Sequence, residues 1–238
     1  MSLKNLETSV IQKLIFDNKY FIIPFVLFVA LTSILLGIWR NDQMFLCLNR
    51  YYSDSADILF LNLTNLGDGI VAAILVIILL WVSYRESLTF LAITLILLVI
   101  ITLLKNYIFP EMDRPLEYFG SSEVLRIVKG YDPPKLSTFP SGHAATAFSV
   151  CLYLSFLIKN RFAKFSLFLI AFSVGFSRIY ISAHFPLDVL VGASIGVLIT
   201  FLCYHFSRRI NNSWIDRKIT DRSNEFGRGG TENSKYIQ

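Results

Sequence analysis

Two of the three histidines in the sequence stand beside polar residues at the ends of long apolar runs. His184 is followed four residues later by Asp188, a spacing that places both side chains on one face of a helix. The carboxylate can then accept a hydrogen bond from one ring nitrogen, which fixes the tautomer and leaves the other nitrogen as a nucleophile. His143 can donate a proton to a leaving oxygen as a general acid. The pattern indicates nucleophilic catalysis by histidine.

Cations and a helix start near these histidines are typical of a phosphate site. Lys105, Arg114 and Arg178 can bind phosphate oxygens, and an arginine can do so through two parallel hydrogen bonds. Ser141 and Gly142 stand at a predicted helix start, where free backbone N–H groups attract anions and glycine allows close approach. The same cations would repel a metal ion, so we predict a reaction that uses neither a metal nor another cofactor.

Six long apolar runs indicate that the chain crosses a membrane. Hydrophobic residues make up 54% of the 238 positions and charged residues 16%, against about a quarter charged in a soluble domain. A helix needs roughly 20 apolar residues to span a bilayer, and helices satisfy the backbone in lipid. We therefore predict an all-α integral membrane bundle of six transmembrane helices, on the runs 21–39, 69–84, 88–104, 144–158, 165–177 and 189–204.

The six-span arrangement explains how residues far apart in sequence can meet. Lys105 ends the third predicted span and Arg178 the fifth, whereas His143 opens the fourth and His184 the sixth. Alternating spans place these four ends on one membrane face, which is also the face of the loop that contains Arg114. A charged side chain at the centre of a membrane helix costs roughly 2.5–3.5 kcal/mol, so a cluster at span ends predicts a functional site.

The remaining segments surround one membrane domain. We predict an interfacial segment over residues 1–19, the six-span domain over 20–206, and a disordered polar tail over 207–238, where apolar residues are few. Residues 41–57 are predicted to form an interfacial helix or lid, and residues 62–68 either a turn or part of a site opening. Gly192 and Gly196 indicate close packing of the last span against a neighbour.

The distribution of basic residues predicts how the chain is oriented in the membrane. Basic residues precede the first span, fill the turns after the second and fourth, and follow the sixth, so the positive-inside rule places them and both termini in the cytoplasm. Arg85 belongs to a predicted tight turn between the second and third spans. The site then lies at the outer face with a basic loop that contains Arg114, Arg126, Lys129 and Lys135.

The composition argues against a nucleic-acid partner and against a fold held together by disulfide bonds. The net charge of +5 is divided between the two membrane faces without the basic stripe of a nucleic-acid-binding domain, so nucleic acid is not an expected partner. The three cysteines are odd in number and far apart, which argues against a disulfide framework. The expected partners are the bilayer and a phosphorylated lipid, and the sequence indicates no particular oligomeric state.

Three stretches resemble the signatures of the type 2 phosphatidic acid phosphatase superfamily. The sequence Phe-Pro-Ser-Gly-His at 139–143 resembles its second signature, and Ser177-Arg178, five residues, His184, three residues and Asp188 match the third in full. Lys105 with Arg114-Pro115 resembles the first signature. Here the eight residues 106–113 separate the lysine from the arginine, which is a longer spacing than is usual in the family.

The resemblance implies a six-span phosphatase that forms a phosphohistidine on His184, with Asp188 as the partner of that ring. His143 would protonate the leaving group and later activate water, and the phosphate would be held by Lys105, Arg114, Ser141, Gly142 and Arg178. The implied enzyme is a bacterial inner-membrane phosphatase for a lipid phosphate of the undecaprenyl diphosphate, phosphatidylglycerol phosphate or phosphatidic acid type. A lipid A phosphatase of the same fold and a non-catalytic protein that binds lipid phosphate remain alternatives.

Overall fold

A computed structural model describes residues 11–120, 125–133 and 138–219, and within these ranges the chain contains helices and no strands. Expectations for residues 1–10, for Lys135 and for 220–238 fall outside the described residues. Residues 11–17 are helical. The helices that follow are α1 Lys19–Ile38, α2 Asn41–Asn49, α3 Asp54–Leu63, α4 Gly69–Leu79, α5 Tyr84–Leu103, α6 Pro115–Phe119, α7 Gly142–Leu157, α8 Arg161–Tyr180 and α9 Pro186–Ser207.

Four of these helices are long and apolar enough to cross a membrane. They are α1, α8, α9 and α5 with its continuation to Ile108, and they correspond to the first, fifth, sixth and third predicted spans. The fifth span was predicted from the short run 165–177, but α8 has 20 residues because the polar residues on both sides of that run are also helical. A multi-span α-helical membrane protein is therefore confirmed.

The other two predicted spans have a different form. The second, the run 69–84, contains only the 11-residue α4, which ends at Leu79 and forms a pair with the preceding segment Asp54–Gly67, bent by 53° at Asp68. The carboxylate of Asp68 accepts a hydrogen bond from the N–H of Ile70 and so begins α4 anew. The fourth, α7, has 16 residues, fewer than the roughly 20 of a typical span. Its contacts with α5, α8 and α9 explain the length, because a helix enclosed by others need not match the bilayer.

Two glycines set the closest contact between α7 and α9. A Cβ placed on Gly192 would lie 2.3 Å from the carbonyl oxygen of Ser141, and one on Gly196 would lie 2.3 Å from that of Ala145. Both distances are far below a normal van der Waals contact, so this pair of helices requires glycine at both positions. The predicted close packing of the last span is thus present, and it fixes the start of α7 against α9.

The segments 41–57 and 62–68 lie beside the same end of the bundle. α2 supplies Asn49, whose buried side-chain amide donates to the carbonyl oxygen of Tyr180 at 3.0 Å. The segment 62–68 contains a single 3₁₀ turn, Thr64–Gly67, and a Cβ on Gly67 would lie 2.8 Å from the carbonyl oxygen of His143. The segment is therefore a turn that also lies directly against the start of α7.

At the opposite end of α5, the described part of the predicted tail packs against the helix. The N–H groups of Tyr84 and Arg85 donate to the carbonyl oxygens of Arg217 and Ile215, at 2.9 and 2.6 Å. Arg85 is buried in the first turn of α5, rather than exposed in a tight turn, and its Nε lies 2.5 Å from Asp216. Residues 215–217 thus supply partners for N–H groups that a helix start leaves unsatisfied, whereas disorder was expected here.

Candidate active site

The loop between α8 and α9 carries His184 and folds back over the end of α8. The N–H groups of Ala183 and His184 donate to the carbonyl oxygen of Arg178, at 2.9 and 3.1 Å. Ser182 has a φ of 59°, in the left-handed region that few non-glycine residues adopt. The side-chain amide of Asn49 donates to the hydroxyl oxygen of Ser182 at 3.1 Å. These contacts hold Arg178 and His184 side by side.

One side of the His184 ring faces a carboxylate and a hydroxyl. Nδ1 lies 3.4 Å from Oδ2 of Asp188 and 3.2 Å from Oγ1 of Thr138, and that hydroxyl donates to the same carboxylate oxygen at 2.5 Å. The N–H of Phe185 also donates to Oδ2, at 2.9 Å. We assign the ring proton to Nδ1, because acceptors lie on that side. Nε2 therefore carries the lone pair.

The other side of the ring faces a cation. Nη1 of Arg114 lies 3.5 Å from Nε2 of His184 and donates to the carbonyl oxygen of Ala183 at 3.1 Å. Burial and the positive charges of Arg114 and Arg178 hold the pKa of His184 well below its ordinary value of 6.5. Burial, and then the charge of Arg178, likewise lower the pKa of Arg114. The imidazole is therefore neutral near pH 7, which is the nucleophilic form.

Arg178 is buried in the last turn of α8 and is held by hydroxyl groups. Its Nη1 donates to Oγ1 of Thr64 at 2.5 Å, and its Nη2 donates to the hydroxyl of Tyr131 at 3.4 Å. The buried Nε has no hydrogen-bond partner among the described residues. Neutral partners do not cancel the charge of the guanidinium, so it remains able to attract an anion.

The start of α7 is bound to α9 beside the His184 ring. The N–H of Ser141 donates to the carbonyl oxygen of Asp188 at 3.0 Å, and the hydroxyl of Ser141 accepts from the N–H of Ala144 at 3.4 Å. A Cβ on Gly142 would meet Ile101 at an ordinary 3.6 Å, so packing within the protein does not require glycine here. Close approach of a ligand to the backbone is a reason for glycine that these contacts leave open.

His143 and Lys105 complete the cluster. The His143 ring interacts electrostatically with Arg178, Lys105 and Arg114, so all three cations lie near it. Lys105 is part of a π-helical turn, Leu104–Ile108, which widens the end of α5. This turn and the bend at residues 109–111 accommodate the longer spacing before Arg114. Lys105 also remains within electrostatic range of Asp188.

The structure thus brings all eight predicted site residues to one end of the bundle: Lys105, Arg114, Ser141, Gly142, His143, Arg178, His184 and Asp188. Sequence reasoning missed Thr138, Thr64 and Tyr131. Thr138 directly precedes the stretch 139–143 that was singled out for its motif, and this proximity was the available signal. Within the described ranges, no three His, Cys, Asp or Glu side chains gather as metal ligands would.

A cavity of about 390 Å³ begins at Gly142 and His143 and continues into the bundle between α4, α5 and α7. Its walls are mostly apolar, and they include Phe90 and Leu97 on α5. Leu98, which also lines the cavity, is 62% exposed on the outer surface of the bundle. The cavity therefore connects the site with the surface that faces lipid.

The model of the PAP2 superfamily matches residues 86–212, more than half of the chain, and this region contains all eight predicted site residues. The chain belongs to the PAP2 superfamily. The three stretches that resemble the family signatures all lie within the matched region.

Curated relatives of this PAP2 protein include three bacterial enzymes. The lipid A 4'-phosphatase of Porphyromonas gingivalis is 28% identical over 102 residues, which cover 43% of each chain. The undecaprenyl-diphosphatase BcrC of Bacillus subtilis is 34% identical over 71 residues, 30% of this chain and 36% of that protein. Phosphatidylglycerophosphatase B of Bacillus subtilis is 40% identical over 82 residues, 31% of this chain and 40% of that protein. The chain thus matches less than half the length of each relative.

Two solved PAP2 structures share the fold. Aquifex aeolicus LpxE has a TM-score of 0.60 and 30% identity, over 68% of this chain and 93% of that one. The transmembrane PAP2 type phosphatidylglycerolphosphate phosphatase from Bacillus subtilis has a TM-score of 0.55 and 23% identity, over 81% of this chain and 98% of that one. The all-helical membrane bundle of this protein is therefore the transmembrane PAP2 fold.

Proposed function

We propose that this PAP2 protein is a membrane lipid phosphatase that transfers the phosphoryl group of a lipid phosphate to Nε2 of His184 and then to water. The environment of that one ring is the observation on which the proposal rests: Nδ1 faces Asp188 and Thr138, and Nε2 faces Arg114. When Arg114 binds the phosphate of a substrate, the phosphorus atom lies in front of the lone pair on Nε2 of the neutral His184 ring, which can then attack it.

In the first step, Nε2 of His184 attacks phosphorus and the bond from phosphorus to the lipid oxygen breaks. The leaving oxygen takes a proton from His143, which acts as the general acid. The non-bridging oxygens gather charge in the transition state, and Arg114, Arg178 and Lys105 stabilise it. The N–H groups at the start of α7 add donors from the backbone.

In the second step, water hydrolyses the phosphohistidine. His143, now neutral, removes a proton from the water, whose oxygen forms a new bond to phosphorus. The bond from phosphorus to Nε2 breaks, inorganic phosphate leaves, and both histidines return to their starting forms. Asp188 carries a negative charge next to the ring while the ring is positively charged, and so stabilises the intermediate.

The cavity supports a lipid rather than a soluble substrate. His143, which protonates the leaving oxygen, also lines the cavity, so the organic part of the substrate lies on the side where the apolar walls begin. The opening at Leu98 allows a hydrocarbon chain to enter from the bilayer. The names of the relatives support an isoprenyl diphosphate or a phosphatidylglycerol phosphate as substrate, with lipid A as the alternative. Phosphatidic acid is included because of the resemblance of the sequence motifs.

The substrate experiment uses purified protein with these four lipids in the presence of a chelator. We expect release of phosphate from at least one of them, and we expect the wild type to form an acid-labile phosphoenzyme when the lipid carries ³²P. His184→Ala should abolish both signals. His205→Gln is the matched control, because His205 lies at the other end of α9 and contacts Arg209.

The outcomes separate the alternatives. Release of phosphate by the His184→Ala protein at the wild-type rate would refute the assigned nucleophile. Binding of a lipid phosphate without any release would favour the non-catalytic alternative. Activity that is lost with the chelator and returns with a divalent metal would contradict the predicted reaction without metal.

We also propose that the protein lies in the bacterial inner membrane with its site on the outer face and both termini in the cytoplasm. The basic residues after α9 and at the start of α8 support this orientation, because they lie at the end of the bundle opposite to the site. Cys47, on α2, is exposed beside the site, whereas Cys151 is buried. A membrane-impermeant maleimide should label intact cells through Cys47, and the Cys47→Ser protein should stay unlabelled. Labelling that requires broken cells would reverse the orientation.

A further inference from the structure

Thr138 occupies the narrow space between the nucleophilic histidine and its carboxylate. Its side chain is 1% exposed, and its Oγ1 lies closer to both groups than they lie to each other. The hydroxyl is 3.2 Å from Nδ1 of His184 and 2.5 Å from Oδ2 of Asp188, whereas Nδ1 and Oδ2 are 3.4 Å apart. We propose that Thr138 is a positioning residue that links Asp188 to His184 through its hydroxyl group.

The hydrogen bonds are consistent with one arrangement of protons. A threonine hydroxyl has one proton to donate and lone pairs with which to accept. Because ionised Asp188 can only accept, the hydroxyl proton points to Oδ2, and the hydroxyl oxygen accepts the proton of Nδ1. The link therefore favours the tautomer whose lone pair is on Nε2, the nitrogen that faces Arg114. No proton needs to leave the ring for this link to operate.

The backbone around Thr138 joins the two arms of the long outer loop. The N–H of Thr138 donates to the carbonyl oxygen of Met112 at 3.1 Å. The next residue, Phe139, packs its ring edge-on against that of Phe109, with centroids 4.9 Å apart. Met112 is two residues from Arg114, so the contact ties the segment at Nε2 to the segment at Nδ1. One loop thus orients the ring from both sides.

The link should matter most when the ring carries charge. The inference rests on the proposed function, in which attack by Nε2 makes the His184 ring positive within a group of cations. The proton on Nδ1 then becomes a stronger donor, and the hydroxyl passes the effect of the negative charge of Asp188 to the ring. Loss of the hydroxyl should therefore slow phosphorylation of the enzyme more than it weakens binding of the lipid.

The test compares Thr138→Val, which keeps the shape but removes the hydroxyl, with Thr138→Ser, which keeps the hydroxyl. We expect the valine variant to lose about 10- to 100-fold in kcat and in the single-turnover rate of phosphoenzyme formation, with KM within about twofold of wild type. The serine variant should recover to within a few fold of wild type. Thr200→Val is the matched control, since its buried hydroxyl bonds to Ser149 at 2.7 Å and neither residue belongs to the catalytic cluster around His184.

The control separates a positioning role from general destabilisation. Thr200→Val should lower the thermal unfolding temperature about as much as Thr138→Val and leave kcat near the wild-type value. Equal rates for Thr138→Val and Thr138→Ser, or an equal fall of kcat in Thr200→Val, would overturn the inference while the proposed function stands. A wild-type protein that hydrolyses no lipid phosphate would overturn the proposed function and the inference together.

Discussion

Replacement of Gly192 by alanine should disable the site through a single contact between helices. In the structure, a Cβ at this position would lie 2.3 Å from the carbonyl oxygen of Ser141 and 3.1 Å from its carbonyl carbon. Ordinary contacts begin at 3.4 Å, so the carbonyl oxygen must move by about 1.1 Å, or the two helices must separate. Overpacking of this kind costs roughly 1–3 kcal/mol in the free energy of unfolding.

The displaced carbonyl belongs to the residue that begins α7. The N–H of the same residue, Ser141, donates to the carbonyl oxygen of Asp188, so a shift also weakens the bond that aligns α7 with α9. Gly142 and His143 follow directly and would move with it. A misplacement of about 1 Å can reduce a rate on the order of 100-fold, and we expect this loss in kcat/KM while the protein stays folded.

Two further glycines provide matched controls for this prediction. Gly196→Ala produces the same 2.3 Å overlap with Ala145, one turn farther from the site, so it should lower the unfolding temperature similarly but reduce kcat/KM much less. Gly37→Ala meets nothing within 4 Å and should change neither quantity. Phosphate release and thermal unfolding in the same detergent provide both measurements. Wild-type kcat/KM in Gly192→Ala would refute the reasoning, and an equal loss in Gly196→Ala would assign the effect to destabilisation.

The remaining predictions concern the phosphate, the lipid and pH. Gly142→Ala should keep the wild-type unfolding temperature, because the added Cβ makes an ordinary contact with Ile101. The same Cβ should crowd the bound phosphate and lower kcat/KM at least about tenfold. Unchanged kinetics would show that no ligand approaches the backbone at this position. Thr94→Phe should fill the cavity and raise KM for a long-chain lipid about tenfold without changing kcat for a short soluble phosphate ester. Leu95→Phe, on the exposed side of α5, should change neither value, and equal effects of the two variants would contradict the assigned path of the hydrocarbon. The lowered pKa of His184 means that the unfolded chain binds a proton below pH 6.5 that the buried ring rejects. As pH decreases through 6.5, the unfolding temperature of the wild type should therefore fall relative to that of His184→Gln, which lacks this proton. The His184 ring should cause no inflection near pH 6.5 in the pH profile of the single-turnover rate of phosphoenzyme formation. If the wild type shows such an inflection and His143→Gln does not, the inflection belongs to the general acid His143.

The positions of the spans and of the main site residues followed from local features of the sequence. Apolar length is a property of consecutive residues, so α1, α5 and α9 were predicted directly. α8 was underestimated because its polar ends are buried by neighbouring helices instead of lying in a loop, as at Lys164 and Arg178. The convergence of His143 and His184 required only that adjacent spans alternate in direction. The prediction of six spans differs most from the structure at α4 and α7. Contacts with neighbouring helices permit a bend at the start of α4 and a short helix at α7.

The contacts that complete the site had no such local signal. Thr138 and Thr64 each contribute one hydroxyl, and a single hydroxyl in a loop has no periodicity from which a partner could be inferred. Their roles depend on which loops approach each other, through bonds such as that from the N–H of Thr138 to Met112. The π-helical turn at Lys105 is a similar case, because the longer spacing before Arg114 indicated a difference but not the way in which the helix absorbs it.

The two ends of the bundle show how the same residue type serves structure in one place and binding in another. At the end opposite the site, Arg85 and Arg208 contact the carboxylates of Asp216 and Glu86, each at 2.5 Å. Such pairs cancel charge and join segments of the chain. At the site, Arg178 is as deeply buried as Arg85 but contacts the hydroxyls of Thr64 and Tyr131. Burying a cation among neutral partners costs free energy, and binding of an anion offsets that cost. Arg178 is therefore placed to bind phosphate.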